Sequence, residues 1–208
     1  MKLVIPAWPD GGRIPERHAA GRRDPAHGVA FSDDVSPALA WSELPAGVKS
    51  LALICHDPDV PSRGDDVNQP DREVPADLPR VDFFHWVLVD LPPTLAGLAE
   101  GDGGRGFVPR GRPGPQGPHG GRHGINDYTG WFAGDAERGG DYYGYDGPFP
   151  PFNDAIRHRY VFTLFALDLA RLPLEGRFAG ADVRRAMQDH VLAEARHSGV
   201  YTLNPRLA

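Results

Sequence analysis

The chain has 208 residues, of which 40% are hydrophobic and 24% charged, a composition typical of a folded globular protein of one domain. Its formal net charge of −6 argues against a general nucleic-acid binder, which would need a basic surface. A single cysteine, Cys55, excludes an intrachain disulfide and fits a reducing compartment.

The N-terminal segment has no targeting or membrane signal. Its apolar residues, Leu3–Ile5, are followed at once by proline, and Asp10 comes soon after, so the segment is far too short for the core of a signal peptide. No run along the chain approaches the roughly 20 apolar residues of a membrane-spanning helix. We therefore expect a cytoplasmic protein without integral membrane association.

Apolar runs along the chain predict β-strands. Ser50–His56 is a short, nearly continuous apolar run, and its length suits a strand that is buried on both faces. Phe83–Leu91 is rich in aromatic and β-branched residues and ends at a pair of prolines. Arg159–Leu167 has the same character, and Val200–Leu203 is expected to be a last, edge-like strand.

Glycine and proline are concentrated between the second and third of these strands. Of 26 glycines, 17 lie between Gly97 and Gly147, and such a stretch cannot form a regular helix or a central strand. We predict one long loop region from Glu100 to Gly147, with at most a short element inside it. A shorter polar insert with three prolines, the first insert in chain order, runs from Ser62 to Asp82, so the long loop region is the second insert.

The chain is thus predicted to be a single domain, residues 1–208, with polar inserts at about residues 62–82 and 100–143. The inserts can cover a site or shape a surface for a partner. Their composition favours solvated linkers over either role.

One segment has helical periodicity. From Asp182 onward, one face carries the apolar residues Val183, Ala186, Met187, Val191 and Ala195. Asp182 is a suitable N-cap, and Gly199 lies just beyond the expected end. Several strands, one helix and many loop residues do not make the alternating pattern of a parallel α/β protein. We therefore predict a mainly β fold, a Greek-key-like β-sandwich with one or a few peripheral helices and long Gly/Pro-rich loops.

Two polar groups stand out at the first two strands. The segment Asp57-Pro58-Asp59-Val60-Pro61 directly follows the first strand, and its prolines stiffen the backbone that carries Asp57. His85 lies inside the second strand, on the face that it shares with Phe83 and Val87. Each feature has a purely structural explanation as well, an Asp/Pro turn for the first and a core histidine bound to a backbone carbonyl for the second.

A third polar group begins the last apolar strand, at His158-Arg159-Tyr160. Alternation places His158 and Tyr160 on one face and Arg159 on the other, where Arg159 can pair with Asp57 or Asp59 as a structural brace. The simpler explanation is a solvated strand start. The preceding segment, Gly144–Pro151, can bring backbone N–H groups close to a ligand because glycine permits close approach.

Imidazoles, a phenol, amide donors and one carboxylate suit a phosphate or carboxylate ligand. The sequence has no G-x-S-x-G serine motif, no phosphate-binding G-x-x-x-x-G-K-[ST] loop and no H-E-x-x-H zinc helix. These residues favour an anion-binding site that uses neither metal nor cofactor. The alternative is a small-molecule hydrolase that uses the same His/Asp pocket for acid/base chemistry.

In order along the chain, these segments resemble the phosphatidylethanolamine-binding protein family, most closely its bacterial, Raf-kinase-inhibitor-like branch. The D-P-D-x-P segment and the H-R-Y strand start are its most specific pieces. The matching segments are Ser36–Ser42, Leu44–Leu53, Asp57–Pro61, His85–Val87, Tyr142–Pro151 and His158–Phe162, and Leu172, Asp182–Ala195 and Gly199–Tyr201 fit the usual ending of the family.

The resemblance implies a β-sandwich with a pocket for phosphate-like anions and phospholipid headgroups. The positions that match the family's ligand-binding residues are Asp57, His85, His158 and Tyr160. The positions that match its pocket wall are Gly144, Gly147 and Pro148. It further implies a homodimer, as in many bacterial members, and by analogy a protein partner, a kinase or protease that the chain would modulate.

The chain also departs from the bacterial pattern. Phe152–Arg157 fills the gap before the H-R-Y segment, and Asp146 interrupts the glycines of the pocket wall. We therefore expect a bulkier pocket rim that carries Asp146, with Phe149 and Phe152 near the mouth.

Overall fold

The computed structural model describes residues 1–207, and most of its regular structure is antiparallel β-sheet, which confirms the predicted fold class. Two short α-helices and three 3-10 turns complete the regular structure. The strands are β1 (Lys2–Val4), β2 (Gly12–Arg13), β3 (Gly21–Asp24), β4 (Gly28–Phe31), β5 (Leu39–Ser42), β6 (Ser50–Pro61), β7 (Arg80–Leu91), β8 (Gly97–Leu98), β9 (Arg122–His123), β10 (His158–Leu167) and β11 (Val191–Tyr201). The helices are α1 (Tyr128–Trp131) and α2 (Gly180–Ala186), and the 3-10 turns span Glu16–His18, Pro118–Gly120 and Pro205–Leu207.

A six-stranded sheet forms the centre of the fold. Its strand order is β2-β11-β10-β6-β7-β9, and every pair is antiparallel except β2 with β11. A smaller sheet, β1-β5-β8, shares a hydrophobic core with one face of it, and β3 pairs with β4 as a separate hairpin. The sheets β1-β5-β8 and β2-β11-β10-β6-β7-β9 therefore lie against each other as two layers.

The apolar run in β6 is buried on both faces, as predicted. Leu51 and Leu53 point into the core shared with the small sheet, whereas Ala52 and Ile54 point into a second core that includes Val183 of α2. The four β6 side chains are at most 1% exposed. The run is continuous because each face of this central strand packs against a different layer.

The predicted helix from Asp182 to Ala195 is wrong after Ala186, where α2 ends. The segment from Val191 onward is strand β11, which pairs with β10 and has one irregularity at its start. The helix N-cap is Ala179, and Asp182 is the third helical residue, whose carboxylate accepts the backbone N–H of Ala179 at 3.0 Å. Small apolar side chains are compatible with the periodicity of a helix and with that of a strand. The long-range pairing with β10 makes this segment a strand.

Two strand boundaries also differ from the prediction. The D-P-D-x-P segment does not follow the first strand as a turn but lies inside β6, which continues to Pro61 and has three shifts of register against β7, the last of them between Asp57 and Val60. Strand β7 begins at Arg80, three residues earlier than expected. Such bulges accommodate prolines, which cannot donate to the ladder, and they redirect the side chains beside them.

The first insert, residues 62–79, is not a solvated linker. Val74 is 1% exposed, and its backbone N–H donates to the carbonyl of Asn153 at 3.1 Å. The side-chain amide nitrogen of Asn153 lies 2.8, 3.1 and 3.0 Å from the carbonyl oxygens of Asp66, Gln69 and Arg72. These bonds hold the insert against the segment that precedes β10.

No helix among the residues that the structure describes is long and apolar enough to cross a bilayer.

Candidate functional site

The predicted ligand-facing residues meet at one end of the central sheet. Strand β6 lies between β7 and β10, so Asp57 on β6 comes close to His85 on β7 and to His158 and Tyr160 on β10. The rings of His85 and Tyr160 are 5.1 Å apart between centroids. All four side chains are at most 3% exposed, and all four line the inner end of one cavity. We call these four residues the floor.

His158 is held between two carboxylates. Its Nδ1 donates to Oδ2 of Asp57 at 2.7 Å, and its Nε2 donates to Oδ2 of Asp154 at 3.0 Å. Burial alone would lower the pKa of this imidazole, but the hydrogen bonds to Asp154 and Asp57 outweigh it and raise the pKa to about 9. His158 is therefore an imidazolium at neutral pH, and both of its N–H groups are already used.

The chain of charges continues from Asp154 to Arg80. The guanidinium of Arg80 contacts both oxygens of Asp154, at 2.6 and 3.0 Å. Asp57, His158, Asp154 and Arg80 thus alternate in sign, and the charged row is neutral as a whole. A buried row of charges survives because every member has an opposite partner and hydrogen bonds. Neither Asp154 nor Arg80 was predicted.

His85 is fixed differently. Its Nδ1 donates to the backbone carbonyl of Asp146 at 2.7 Å. Burial lowers the pKa of His85 to about 4, although the negative charge of Asp57 opposes the shift. The ring is therefore neutral at pH 7, with its proton on Nδ1. Its Nε2 has no hydrogen-bond partner among residues 1–207 and is not one of the enclosed polar atoms, so its lone pair faces the cavity.

Two phenols lie beside His85. Burial and the charge of Asp57 raise the pKa of Tyr160 well above its usual value, which keeps its hydroxyl protonated as a donor. The Asp57 carboxylate lies within reach of that hydroxyl and favours its protonated form, although no hydrogen bond of good geometry forms between them, and the hydroxyl is not sealed off. The hydroxyl of Tyr128 instead donates to the carbonyl of Gly147 at 2.9 Å. Tyr160 therefore supplies a hydroxyl that a ligand on the floor can reach.

Arg159 lies on the opposite strand face from the floor. Of the two candidate acids, it binds Asp59, with Nε and Nη2 at 2.8 and 2.7 Å from the two carboxylate oxygens. The backbone N–H of Arg159 also donates to Asp59, at 2.9 Å. The backbone N–H of Asp59 in turn donates to Asp57 at 2.8 Å. This pair ties β6 to β10 directly beside Asp57 and orients its carboxylate.

The expected glycine-proline wall lies behind the floor and does not line the cavity. The backbone N–H of Gly147 donates to Asp34 at 2.7 Å, so it is not available to a ligand. Gly144 has a φ of +86°, and a side chain there would collide with the carbonyl of Gly103. The carbonyl of Pro148 accepts the N–H of Gly21 at 3.0 Å. These residues pack the structure beneath the site.

Asp146 is likewise not on the rim, which corrects the expectation from the sequence. It is fully buried next to Asp34, and it contacts Nη1 of Arg112 at 3.0 Å and the amide of Asn126 at 2.7 Å. Burial raises the pKa of both carboxyl groups, and the charge of Asp146 raises that of Asp34 further. Phe149 lines the cavity as expected, whereas Phe152 does not.

The cavity is far larger than a phosphate ion, about 570 Å³. Above the floor its wall is mainly aromatic, with rings from hairpin β3–β4, strand β7, the second insert and the segment before β10. The wall residues with rings are Phe31, Phe83, Phe107, Tyr128, Trp131, Phe132 and Phe149. Trp131 is 53% exposed and Phe31 is 48% exposed, so the wall opens to solvent.

Polar side chains are few along this wall. Arg63 and Arg138 lie at the two inserts, and each has an acid nearby, Asp65 at 3.8 Å and Asp135 at 3.2 Å. The wall residues of the second insert follow no periodicity or motif, because they lie among glycines. Within residues 1–207 no group of three or more His, Cys, Asp or Glu side chains has the arrangement of a metal site.

The comparisons with known proteins agree with this architecture. The family model described as phosphatidylethanolamine-binding protein matches residues 4–202. A UPF0098 protein of Methanothermobacter thermautotrophicus is 34% identical over 201 residues, which cover 97% of this chain and 98% of that protein. The UPF0098 protein YbhB of Escherichia coli is 30% identical, with 97% and 100% covered.

Two solved structures share the fold. A phosphatidylethanolamine-binding protein homolog from Chlamydia trachomatis aligns with a TM-score of 0.64 at 26% identity, over 96% of this chain and 95% of that one. The E. coli protein YbcL, described as a member of the mammalian PEBP family, aligns with a TM-score of 0.67 at 24% identity, over 97% of each chain.

Proposed function

Since the chain belongs to the phosphatidylethanolamine-binding protein family, we propose that it binds a small ligand with an acidic headgroup and an apolar remainder. The headgroup lies on the floor, against His85, Asp57 and Tyr160, and the remainder lies along the aromatic wall. The observation that carries this proposal is the combination of a polar, buried floor with an aromatic cavity of about 570 Å³ above it. Ligand pockets are typically apolar concavities with a few convergent polar groups.

The hydrolase alternative has less support. His158 is the one histidine paired with an aspartate at the floor, but its Nε2 is bound to Asp154 and cannot exchange a proton with a substrate. His85 has a free Nε2, but a pKa of about 4 makes it a weak base at neutral pH. One serine, Ser62, lines the cavity, and within residues 1–207 nothing accepts the proton of its hydroxyl. A nucleophile needs an adjacent base or a lowered pKa.

Titration with phenyl phosphate, inorganic phosphate and phenol tests the proposal by calorimetry. Phenyl phosphate should bind most tightly, because burying a phenyl ring of about 100 Å² contributes about 2.5 kcal/mol over phosphate alone. Tyr160→Phe should weaken phenyl phosphate and inorganic phosphate alike, by about tenfold, because both lose a hydrogen bond to a charged group.

The wall is tested by Trp131→Ala with Leu192→Ala as its control, since Leu192 is a similarly exposed apolar residue outside the cavity. Trp131→Ala should weaken phenyl phosphate and leave inorganic phosphate unchanged, and Leu192→Ala should change neither. Trp131 is also the one tryptophan of the four that lines the cavity, so binding should alter its fluorescence. Absence of saturable binding by phenyl phosphate would refute the proposal.

Two further proposals rest on the family alone. We expect a homodimer, which light scattering of the purified chain tests, and a monomer across the micromolar range would contradict it. We also expect a cytoplasmic protein that modulates a kinase or protease, and inhibition assays with and without phenyl phosphate would test that role.

A further inference from the structure

The floor has few hydrogen-bond donors left for an anion. Both N–H groups of His158 go to carboxylates, and the N–H of His85 goes to the carbonyl of Asp146. The N–H of Gly147 goes to Asp34. Among the floor residues, this leaves only the hydroxyl of Tyr160 as a donor to a ligand, and the Asp57 carboxylate competes for it. A fully deprotonated anion such as sulfate would therefore meet too few donors here.

The floor instead offers acceptors. The lone pair on Nε2 of His85 faces the cavity, and its position is fixed because Nδ1 carries the proton. The Asp57 carboxylate also lines the cavity, with one bond from His158 and one from the N–H of Asp59. Since each carboxylate oxygen has two acceptor positions, Asp57 has acceptor capacity left. An oxygen without a proton would meet lone pairs and a negative charge there.

We propose that the floor selects acidic groups that still carry a proton, above all the monoanion of a phosphate monoester, whose P–OH donates to Nε2 of His85. This inference rests on the proposed function and narrows its ligand class. It disfavours sulfate esters, phosphodiesters and carboxylates, which have no proton to donate at neutral pH. A phosphate monoester loses its second proton near pH 6, so an appreciable fraction is still protonated at pH 7.

The other route to binding, protonation of His85 itself, is more costly. The titratable groups around His85 are Asp57 and His56 from β6, His158 and Tyr160 from β10 and Tyr128 from α1. Of these, Asp57 favours the charged ring, His158 and His56 disfavour it, and burial dominates. With a pKa of about 4, protonating His85 at pH 7 reduces binding by about a thousandfold, whereas protonating a phosphate monoester costs about tenfold. The ligand is therefore the better source of the proton.

Phenyl phosphate and phenyl sulfate distinguish a proton carried by the ligand from protonation of His85. The two esters share a tail and a tetrahedral headgroup, and only the phosphate can carry a proton near neutral pH. Calorimetry at pH 5, 6, 7 and 8 should give constant affinity for phenyl phosphate up to about pH 6, then a loss of about tenfold per pH unit. Phenyl sulfate should bind at least tenfold more weakly at pH 6 and should gain affinity as the pH falls. Binding of phenyl phosphate at pH 7.5 should take up about one proton, measured in two buffers of different ionisation enthalpy.

The variant His85→Gln replaces the lone pair by an amide that can donate, so the preference for phosphate over sulfate should shrink by about tenfold. His190→Gln is its control, because His190 lies outside the cavity and is not among the groups that act on His85. If His85→Gln does not fold, the preference of the wild-type chain for phosphate over sulfate and its proton uptake still test the inference. Equal affinity for the two esters, or tighter binding of phosphate at pH 8, would overturn the inference while the proposed function stands. Binding of neither ester would overturn both.

Discussion

The imidazole of His158 should make the free energy of unfolding fall as the pH rises above neutrality. In the folded chain this ring is an imidazolium between Asp57 and Asp154, with a pKa of about 9. In the unfolded chain its pKa returns to the ordinary 6.5. The folded state therefore binds the proton more tightly. The resulting stabilisation is fully present below pH 6.5 and is lost as the pH rises through 9.

The size of this effect follows from the shift. A change from 6.5 to about 9 corresponds to about 3 kcal/mol, since one pKa unit is worth about 1.4 kcal/mol. The ring is 1% exposed, so solvent screens it little. A loss of this size is a large part of the free energy of unfolding of a typical domain, which is roughly 5–15 kcal/mol.

Urea unfolding at pH 6.5, 8 and 9.5, followed by tryptophan fluorescence, measures the effect. The wild-type chain should lose about 3 kcal/mol across this range, with about half of the loss on each side of pH 8, because the slope is steepest between the unfolded and the folded pKa. In His158→Gln this group cannot titrate, so the alkaline loss should shrink accordingly, although the variant starts from lower stability. His27→Gln is the control, because His27 is 80% exposed and should leave the pH profile as it is. An unchanged alkaline slope in His158→Gln would show that the ring is not charged in the folded chain.

Three other perturbations test separate parts of the fold by the same unfolding assay. Burial lowers the pKa of His123 to about 4, so the free energy of unfolding should fall as the pH falls from 6.5 to 4. A smaller loss of stability over this acidic range in His123→Gln would support this. Arg112→Met should cost about 3–5 kcal/mol because it leaves the buried Asp146 without its cation, and a cost below 1 kcal/mol would contradict that. Gly103→Ala should cost about 1–3 kcal/mol, since its Cβ would collide with the buried indole of Trp86, and an unchanged midpoint would contradict the packing.

The strands that carry the floor were predictable because their signals are local. Ser50–His56, Phe83–Leu91 and Arg159–Leu167 are apolar runs with clear boundaries, and each lies inside a strand of the structure. The segment after α2 was not predictable in this way. Its alternate residues Ala193 and Ala195 pack against the core as strand residues do, but small side chains give no strong period. Pairing with β10, about 30 residues away in sequence, determines its conformation.

The residues of the site differ in the same way: some have a local signal in the sequence, and others do not. The residues of the floor carry rare side chains at strand positions, so they stand out in the sequence. Arg80 is the first residue of β7, directly after Pro79, and Asp154 lies in the irregular segment before β10, so neither has a local signal in the sequence that points to the site. The wall rings Phe107, Trp131 and Phe132 have no such signal. Their positions depend on how a glycine-rich segment packs over the sheet, which is a long-range property.

The long second insert does more than complete the wall, because it also determines the state of the floor. The tautomer of His85 depends on the carbonyl of Asp146, which accepts its Nδ1–H. The side chain of Asp146 is in turn held by Arg112 and Asn126, both from the insert. Changes in the insert can therefore alter two properties at once: the shape of the wall that receives the apolar part of a ligand, and the direction in which His85 presents its lone pair. If relatives differ in ligand, we expect the differences to lie in this insert, while Asp57 and His158 stay fixed by their strands.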